Sequence, residues 1–321
     1  MVTRILFLGT PAFAVPSLER LIGCQPSNGW KVIGAVTQPD RPAGRGRKMS
    51  LPAAKQAALK SDIPVFQPER IRGNPEAMSL LDQLQPDLLV VVAFGQILPR
   101  DFFDFPRYGT LNVHASLLPA YRGAAPVVHA IWNGDEQTGV TIMKIDEGMD
   151  TGDILAQRAC PIPPEMTAGE LEERLAEQGA DLLIEVLPDY LAGTVKPSPQ
   201  GSEGATYSPR ITPQDAIINW GASARKVHDQ IRAFNPRPGA RTTFRGEALK
   251  IWKSRFPKAA KKDFSLKPGT IAAIEPAAVA VACGGGECVE LIEFQLPNRN
   301  RIDARDFTNG AQLRVGERFS D

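Results

Sequence analysis

The chain has 321 residues, 43% of them hydrophobic and 23% charged, which is the composition of an ordinary soluble protein long enough for two domains. No apolar run approaches membrane-spanning length, and the four scattered cysteines indicate a reducing compartment and argue against a disulfide scaffold. Because the chain enters a strand-like run at once, we expect no signal or transit segment and a cytoplasmic location.

The net charge of +1 hides a difference between the two parts of the chain. Residues 1–200 contain 18 basic and 23 acidic residues, whereas residues 201–321 contain 19 and 13, so the net charges are −5 and +6. A basic C-terminal part indicates either a surface for a polyanion or chance variation on a solvated surface. The charge alone leaves both interpretations open.

The first third of the chain alternates between strand and helix patterns. Arg4 to Gly9 predicts a buried parallel strand, and a helical periodicity follows it. Pro11 and Phe13 stand where a dinucleotide-binding fingerprint needs small residues, so an NAD or FAD enzyme is disfavoured. Further strands are predicted over Trp30 to Thr37 and Asp87 to Phe94, the latter central, with helices over Leu51 to Ser61 and Asn74 to Leu84. The alternation predicts an α/β fold with a Rossmann-like, doubly wound, mostly parallel sheet.

Composition divides the chain into two predicted domains. Thr167 and Glu170 have capping-box spacing and predict a long helix, which would complete a domain over residues 1–192. Residues 193–206 are rich in Pro, Ser and Gly and read as a linker. A smaller, mostly β domain over residues 207–321 is predicted from a helix at Trp220 to Phe234, a hairpin at Thr242 to Trp252, and short strands at Gly269 to Ile274, Ala278 to Cys283 and Val289 to Phe294.

Two features near the carboxyl ends of the predicted strands have competing interpretations. Gln38 to Lys48 holds two prolines, two glycines and the cations Arg41, Arg45, Arg47 and Lys48. It is either a flexible surface loop or a mobile basic arm for a phosphate-rich substrate. The segment Phe94 to Leu98 is either a plain strand-to-helix turn or the wall of a site for a flat heterocycle, with backbone groups doing the pairing.

The stretch from Asn112 to Asp153 carries the predicted chemistry. Asn112 and His114 stand on alternating positions at the end of a strand, so their side chains should point to the same side. Of the three histidines, His114 is the only plausible base near the sheet's switch point. A loop rich in Gly and Asp offers Asp146, Asp150 and Asp153 as carboxylate partners. An amide, an imidazole and a carboxylate are usual parts of an acyl-transfer site.

Three motifs in this stretch resemble the folate-dependent formyltransferases. They are N-V-H-x-S-L-L-P from Asn112, R-G-A-A-P from Arg122 and D-x-G-x-D-T-G-D from Asp146. These motifs mark the whole family, including enzymes that act on small amines. The R-P-A-G-R-G-R-K loop from Arg41, together with the basic C-terminal part, resembles the members that act on methionyl-tRNA.

The resemblance implies specific partners and site residues. The formyl donor would be 10-formyltetrahydrofolate and the acceptor initiator methionyl-tRNA, held partly by an OB-like barrel; we expect a monomer that needs no metal. The implied catalytic residues are Asn112, His114 and Asp150. The implied folate-binding residues are Ser116, Leu117, Leu118, Pro119, Phe94, Gly95, Gln96, Ile97, Leu98 and Asp146. The implied tRNA-binding residues are Arg41, Arg45, Arg47 and Lys48, with Arg45 entering the acceptor stem.

Formyl transfer to an amine explains why such residues would be needed. The Asn112 amide can donate to the oxyanion of the tetrahedral intermediate, and the His114 imidazole can take the ammonium proton and return one to the folate nitrogen N10. Asp150 can stabilise the charged imidazole, directly or through water. The alternatives are a formyltransferase for a small amine such as a nucleotide sugar, and a nucleic-acid-binding module without activity.

Overall fold

The computed structural model describes residues 2–43, 48–257 and 265–320. The chain divides into two compact units. The first comprises Met1–Gly123, Thr138–Cys160 and Glu172–Tyr207, and the second comprises Ala124–Gln137, Pro161–Leu171 and Ser208–Asp321. These bounds differ from the predicted 1–192, 193–206 and 207–321. Two stretches inside the first 192 residues group with the second unit, and the linker-like segment 193–206 groups with the first, because packing rather than composition decides where a chain segment belongs.

The helices and strands follow the predicted alternation. The strands up to residue 208 are β1 (Thr3–Gly9), β2 (Trp30–Val36), β3 (Arg41–Ala43), β4 (Lys48–Ser50), β5 (Val65–Phe66), β6 (Leu88–Val92), β7 (Thr110–His114), β8 (Arg122–Gly123), β9 (Gln137–Lys144), β10 (Ile154–Pro161) and β11 (Tyr207–Ser208). The helices of the same region are α1 (Val15–Asn28), α2 (Ala53–Lys60), α3 (Pro75–Leu84), α4 (Arg100–Phe103), α5 (Pro126–Asn133) and α6 (Ala168–Leu191), and a 3-10 turn spans Ala12–Ala14.

The rest of the chain holds two further helices and seven strands within the described residues. The helices are α7 (Ala224–Ala233) and α8 (Ala304–Ala311). The strands are β12 (Ala240–Phe244), β13 (Glu247–Arg255), β14 (Ile271–Glu275), β15 (Ala278–Ala282), β16 (Cys288–Gln295), β17 (Ile302–Asp303) and β18 (Phe319–Ser320). No helix of the described residues is both long and apolar enough to span a membrane.

The first unit is built on a seven-stranded sheet in the order β10-β9-β7-β6-β1-β2-β5. The pairs β6·β7, β1·β6, β1·β2 and β2·β5 are parallel, and β7·β9 is antiparallel. The predicted central strand is β6, which lies fourth in the order and is buried at all five positions. A continuous apolar run is what burial on both faces requires. The predicted fold class, a mostly parallel Rossmann-like sheet, is confirmed.

Helices cover both faces of this sheet. On one face, Leu6, Leu8 and Val91 pack with residues of α3 and α4. On the other face, Gly179 of α6 lies so close to the sheet that a Cβ there would stand 2.7 Å from Val113. The helix α6 begins where the capping box predicts: the Thr167 amide donates to the Glu170 carboxylate at 2.8 Å, and this hydrogen bond lowers the pKa of Glu170.

The basic segment after β2 is more ordered at its two ends than its composition indicates. The strands β3 and β4 pair as a short antiparallel hairpin, with Arg41 opposite Ser50 and Ala43 opposite Lys48. Asp40 accepts from Lys55 at 2.7 Å, so the start of the segment is also tied to α2. The two ends of the segment are therefore held by hydrogen bonds, while residues 44–47 lie outside the described residues.

The second unit contains the predicted small barrel. Its antiparallel sheet runs β14-β15-β16-β13-β12-β18, and a bridge between Thr270 and Arg318 joins the first strand of this order to the last. Phe294 and Phe307 stack inside it with ring centroids 4.3 Å apart. The helix predicted from Trp220 begins only at Ala224, because Ser223 caps it and Trp220 is buried, donating through its indole to Thr242 at 3.0 Å.

Candidate active site

The end of β7 places an amide and an imidazole on one face of the first unit's sheet. Asn112 lies next to Val91 of the parallel strand β6, and His114 lies opposite Thr141 of β9. Since alternate residues of a strand point to the same face, both side chains leave on the side of Val91. The position at the carboxyl end of β7 is where α/β sheets bind their ligands.

The surroundings of His114 define what each ring nitrogen can do. The side chain is only 6% exposed, and its Nε2 lies 3.0 Å from the carbonyl oxygen of Tyr121. A carbonyl oxygen only accepts, so Nε2 donates and Nδ1 carries the lone pair of the neutral ring. Nδ1 faces Oδ2 of Asp150 at 3.7 Å, which is within ion-pair range but too long for a hydrogen bond. A proton taken up at Nδ1 would therefore sit beside a carboxylate.

Asp150 occupies a conformation that few side chains adopt. Its φ of +53° lies in the left-handed region, and its carboxylate Oδ2 accepts from the backbone N–H of Gly123 at 2.8 Å. A non-glycine residue persists in this region only where its surroundings determine it, and such residues cluster at functional sites. The contacts around Asp150 therefore hold its carboxylate in place although the backbone conformation is unfavourable.

The three candidate carboxylates of the loop have different tasks. Oδ1 of Asp146 accepts from the Gly148 amide at 3.1 Å and from the Thr151 hydroxyl at 2.8 Å, so Asp146 braces the loop from within. The backbone carbonyl of Asp153 accepts from Lys144 at 2.9 Å and joins the loop end to β9. Only Asp150, of these three, is placed beside His114.

The Asn112 amide is half-buried beside these groups. Within residues 2–43, 48–257 and 265–320 its side chain has no hydrogen-bond partner, whereas His114 and Asp150 are both held by backbone groups. Its NH2 group is thus available to a ligand that carries an acceptor oxygen.

The loop after His114 is fixed through one buried threonine. The Thr141 hydroxyl donates to the Ser116 carbonyl at 2.6 Å and accepts from the Leu118 amide at 3.1 Å. Gln157 donates to the Leu118 carbonyl at 2.8 Å, and the Ser116 hydroxyl donates to the Ala120 carbonyl at 2.6 Å. Ser116 and Leu118 are thus buried and engaged, while Leu117 and Pro119 remain half-buried at the surface.

The turn from Phe94 to Leu98 follows β6, the parallel neighbour of β7, so it lies at the same edge of the sheet as His114. Phe94 and Leu98 are buried in the apolar cluster beneath it. The Gln96 side chain accepts from the Ile71 amide at 2.8 Å, and Gly95 supplies a φ of +83°. What the turn presents to solvent is its backbone and Ile97, which is 72% exposed.

Of the four predicted tRNA-binding residues, the structure describes two. Arg41 lies in β3 and Lys48 in β4, whereas Arg45 and Arg47 lie outside the described residues. Among the described residues no group of three or more His, Cys, Asp and Glu side chains could hold a metal ion.

The two other histidines, His129 and His228, each lie within hydrogen-bond distance of other protein groups. His129 lies 3.0 Å from the carbonyl of Pro209, and His228 is buried between Ser254 and the carbonyl of Pro164. Burial lowers the pKa of His228. Both residues belong to the second unit.

Comparison with known proteins identifies the family. The profile of the formyl transferase family matches residues 3–187, and that of the formyl transferase C-terminal domain matches residues 210–312. The methionyl-tRNA formyltransferase of Synechococcus sp. (strain JA-3-3Ab) is 47% identical over 320 residues, covering 98% of each chain. That of Solibacter usitatus (strain Ellin6076) is 45% identical over 318 residues, covering 99% of each. This chain belongs to the methionyl-tRNA formyltransferase family.

The fold is shared with solved members of the wider formyltransferase family. The N-formyltransferase from Helicobacter canadensis, crystallised with folinic acid and dTDP-3-aminofucose, superposes with a TM-score of 0.63 over 91% of this chain and 99% of that one. The two sequences are 21% identical, so this similarity concerns the fold alone.

Four residues that hold the site together escaped the sequence analysis. Thr141 and Gln157 fix the loop after β7, Gln200 contacts the loop that carries Asp150, and Arg122 contacts Gln200. Arg122 stands inside a quoted motif, but nothing in its spacing pointed to Gln200. Isolated Thr and Gln residues have no periodic signature, since their importance comes from contacts 16 to 78 positions apart.

Proposed function

We propose that this chain transfers the formyl group of 10-formyltetrahydrofolate to the α-amine of initiator methionyl-tRNA. The products are tetrahydrofolate and the N-formylmethionyl-tRNA used in translation initiation. The observation that carries the proposal is the arrangement at the end of β7, where the Asn112 amide stands beside an imidazole that faces Asp150 at 3.7 Å. The relatives described above, 47% and 45% identical over nearly the whole chain, support methionyl-tRNA as the acceptor.

The Asn112 amide supplies the group that the addition step needs. When the amine attacks the formyl carbon, the C–N bond forms and the carbonyl oxygen becomes an oxyanion. The NH2 of Asn112 donates to that oxygen, and a fixed donor of this kind typically contributes on the order of 10²- to 10³-fold in rate. The strand position of Asn112 keeps the amide in place before the substrate arrives.

His114 moves the proton. Nδ1 carries the lone pair because Nε2 is committed to the Tyr121 carbonyl at 3.0 Å. Once the amine has added to the formyl carbon, Nδ1 takes a proton from the ammonium of the tetrahedral intermediate, and Asp150 at 3.7 Å would stabilise the resulting imidazolium. The same nitrogen then donates a proton to N10 as the C–N10 bond breaks, so the ring returns to its starting state. Neither a metal nor a covalent enzyme intermediate is part of this sequence.

The donor folate would lie between two segments of the first unit, the turn Phe94–Leu98 and the loop Ser116–Pro119. The turn Phe94–Leu98 offers its backbone and Ile97 to a flat ring, while Gln96 and the two buried side chains hold the turn in place. The loop Ser116–Pro119, fixed by Thr141, is the other segment. Asp146 shapes this site through the loop it braces.

The tRNA would be held by two basic regions. One is the segment that contains Arg41, Arg45, Arg47 and Lys48. The other is the second unit, where β12 and β13 place Arg241 directly opposite Lys250. Burial lowers the pKa of Lys250, as do the charges of Arg241 and Arg301. Like charges directly opposite each other destabilise a sheet, and a phosphate backbone would relieve this repulsion.

We further propose that the enzyme works as a monomer in the cytoplasm. Asn112, His114 and Asp150 come from one unit of one chain, so the chemistry needs no second copy. The chain has only four cysteines, scattered along the sequence, which suits a reducing compartment.

The test is a formyl-transfer assay with 10-formyltetrahydrofolate and three acceptors: charged initiator tRNA, free methionine and a nucleotide-linked amino sugar. We expect transfer to methionyl-tRNA with a KM that rises steeply with salt, and little transfer to either small amine. Efficient transfer to the amino sugar would establish the small-amine alternative instead. Salt-sensitive tRNA binding without any formyl transfer would indicate a nucleic-acid-binding module.

A further inference from the structure

We infer that Gln200 and Arg122 form a clamp that positions Asp150, a role that rests on the proposed formyl transfer. The Gln200 Nε2 donates to the Asp150 carbonyl at 3.0 Å and to the Gly152 carbonyl at 2.6 Å. One side chain therefore grips the loop on both sides of Thr151. Gln200 comes from the segment 193–206, which composition marks as a linker.

Arg122 determines which way the Gln200 amide points. Oε1 of Gln200 accepts from Arg122 Nη2 at 2.8 Å and from Nε at 3.3 Å. A guanidinium only donates, so the carbonyl end of the amide must face it and the NH2 end must face the loop. Arg122 is only 7% exposed and cannot easily change this arrangement.

The backbone around Gln200 is fixed as well. Ser198 and Ile154 exchange two backbone hydrogen bonds of 2.8 Å, and the Arg122 amide donates to the Thr206 carbonyl at 2.9 Å. Gln200 lies between these two attachments. Because the backbone on both sides of Gln200 is already fixed, its side chain loses less conformational entropy when it makes these contacts.

The clamp and the carboxylate share one support. Gly123, the neighbour of Arg122 in β8, donates its N–H to Oδ2 of Asp150 at 2.8 Å. The two-residue strand therefore holds Asp150 by its carboxylate directly and by its carbonyl through Gln200. This double attachment maintains the left-handed backbone of Asp150, with its φ of +53°, and the distance of 3.7 Å to His114.

The clamp makes a specific kinetic prediction, because neither residue lies in the surfaces proposed for the substrates. If Gln200 releases the loop, the carboxylate leaves its place beside Nδ1, and misplacement by about 1 Å can cost roughly a hundredfold in rate. We expect Gln200→Leu to lower kcat by about 10- to 100-fold while both KM values stay within about twofold.

Gln200→Glu separates positioning from space filling. It keeps the shape of the side chain and strengthens the contact with Arg122, but it replaces the donor with an oxygen that repels the two loop carbonyls. The clamp predicts a loss of kcat at least as large as that of Gln200→Leu. A role in packing alone predicts near-normal kcat for Gln200→Glu.

The matched control is Gln178→Leu. Gln178 also belongs to the first unit and donates to one backbone carbonyl, that of Ala159, at 2.9 Å. The decisive measurement is kcat for Gln200→Leu in the wild-type and Asp150→Asn backgrounds, with thermal unfolding recorded for each protein. We expect the loss to shrink to under about threefold in the Asp150→Asn background, because residues that act as a unit are not additive. Gln178→Leu should retain kcat.

Equal losses in both backgrounds would overturn the clamp, as would a folded Gln200→Leu protein with normal kcat. Hydrogen exchange of residues 146–153 provides a readout without turnover, and we expect it to accelerate in Gln200→Leu but not in Gln178→Leu. Unchanged exchange would also contradict the clamp. A wild-type protein inactive on methionyl-tRNA but with the expected exchange would contradict the proposed function and leave the clamp standing.

Discussion

His114 and Asp150 face each other at 3.7 Å, with Nδ1 of the imidazole directed at Oδ2 of the carboxylate. This distance is too long for a hydrogen bond and lies within ion-pair range. In the proposed mechanism the carboxylate would stabilise the imidazolium without fixing the proton of the neutral ring. Such a pair suits a base that must take a proton from one substrate and return it to another.

The first prediction concerns Gly152, two residues after Asp150. A Cβ at this position would stand 2.0 Å from the Lys144 carbonyl, so the loop must shift to accept a side chain. We expect Gly152→Ala to destabilise the protein by about 1–3 kcal/mol and to lower kcat. Gly23→Ala is the control, since a Cβ there meets nothing within 4 Å in helix α1 and should be neutral or stabilising. Urea unfolding and turnover of both variants would check this; equal stability of the two would refute it.

The second prediction concerns Thr141, which is fully buried opposite His114. Thr141→Val keeps the shape but leaves the Leu118 amide and the Ser116 carbonyl without their partner. We expect a loss of about 1–3 kcal/mol in unfolding free energy and weaker binding of a folate analogue. Thr141→Ser retains the hydroxyl and should preserve folate binding. If Thr141→Val binds the analogue as tightly as the wild type, the loop Ser116–Pro119 is not part of the folate site.

Features set by residues close together in the sequence could be predicted, whereas features set by contacts between distant residues could not. The strand β6 was predictable because burial on both faces requires a continuous run of apolar residues. The placement of Asn112 and His114 on one face of β7 was predictable from strand alternation. Trp220 was misassigned to a helix because its partners, Thr242 and Phe319, are distant in the chain. Gln200 was hidden because its segment has the composition of a linker, while its hydrogen bonds reach back 48 and 78 positions.

The third prediction concerns Arg45, whose own structure lies outside the described residues. We expect Arg45→Ala to raise the KM for methionyl-tRNA by about tenfold or more and to leave the affinity for a folate analogue within about twofold, because a guanidinium can fork to phosphate or base edges. Arg45→Lys should restore only part of the loss. Lys31→Ala is the control, because Lys31 lies near the amino end of β2, whereas the basic segment follows the carboxyl end of the same strand. Equal losses for tRNA and folate would mean that the segment is not a tRNA contact.

The role of His114 is tested most directly by the rate of N-formylmethionyl-tRNA formation by His114→Ala, compared with His129→Ala. Both variants lose one imidazole that lies 3.0 Å from a backbone carbonyl, but only His114 faces Asp150. With both proteins folded and saturated with substrate, we predict that His114→Ala is slower than the wild type by at least about a hundredfold and that His129→Ala is within about threefold of it. A folded His114→Ala protein with near-normal turnover would contradict the role of His114 as the proton carrier.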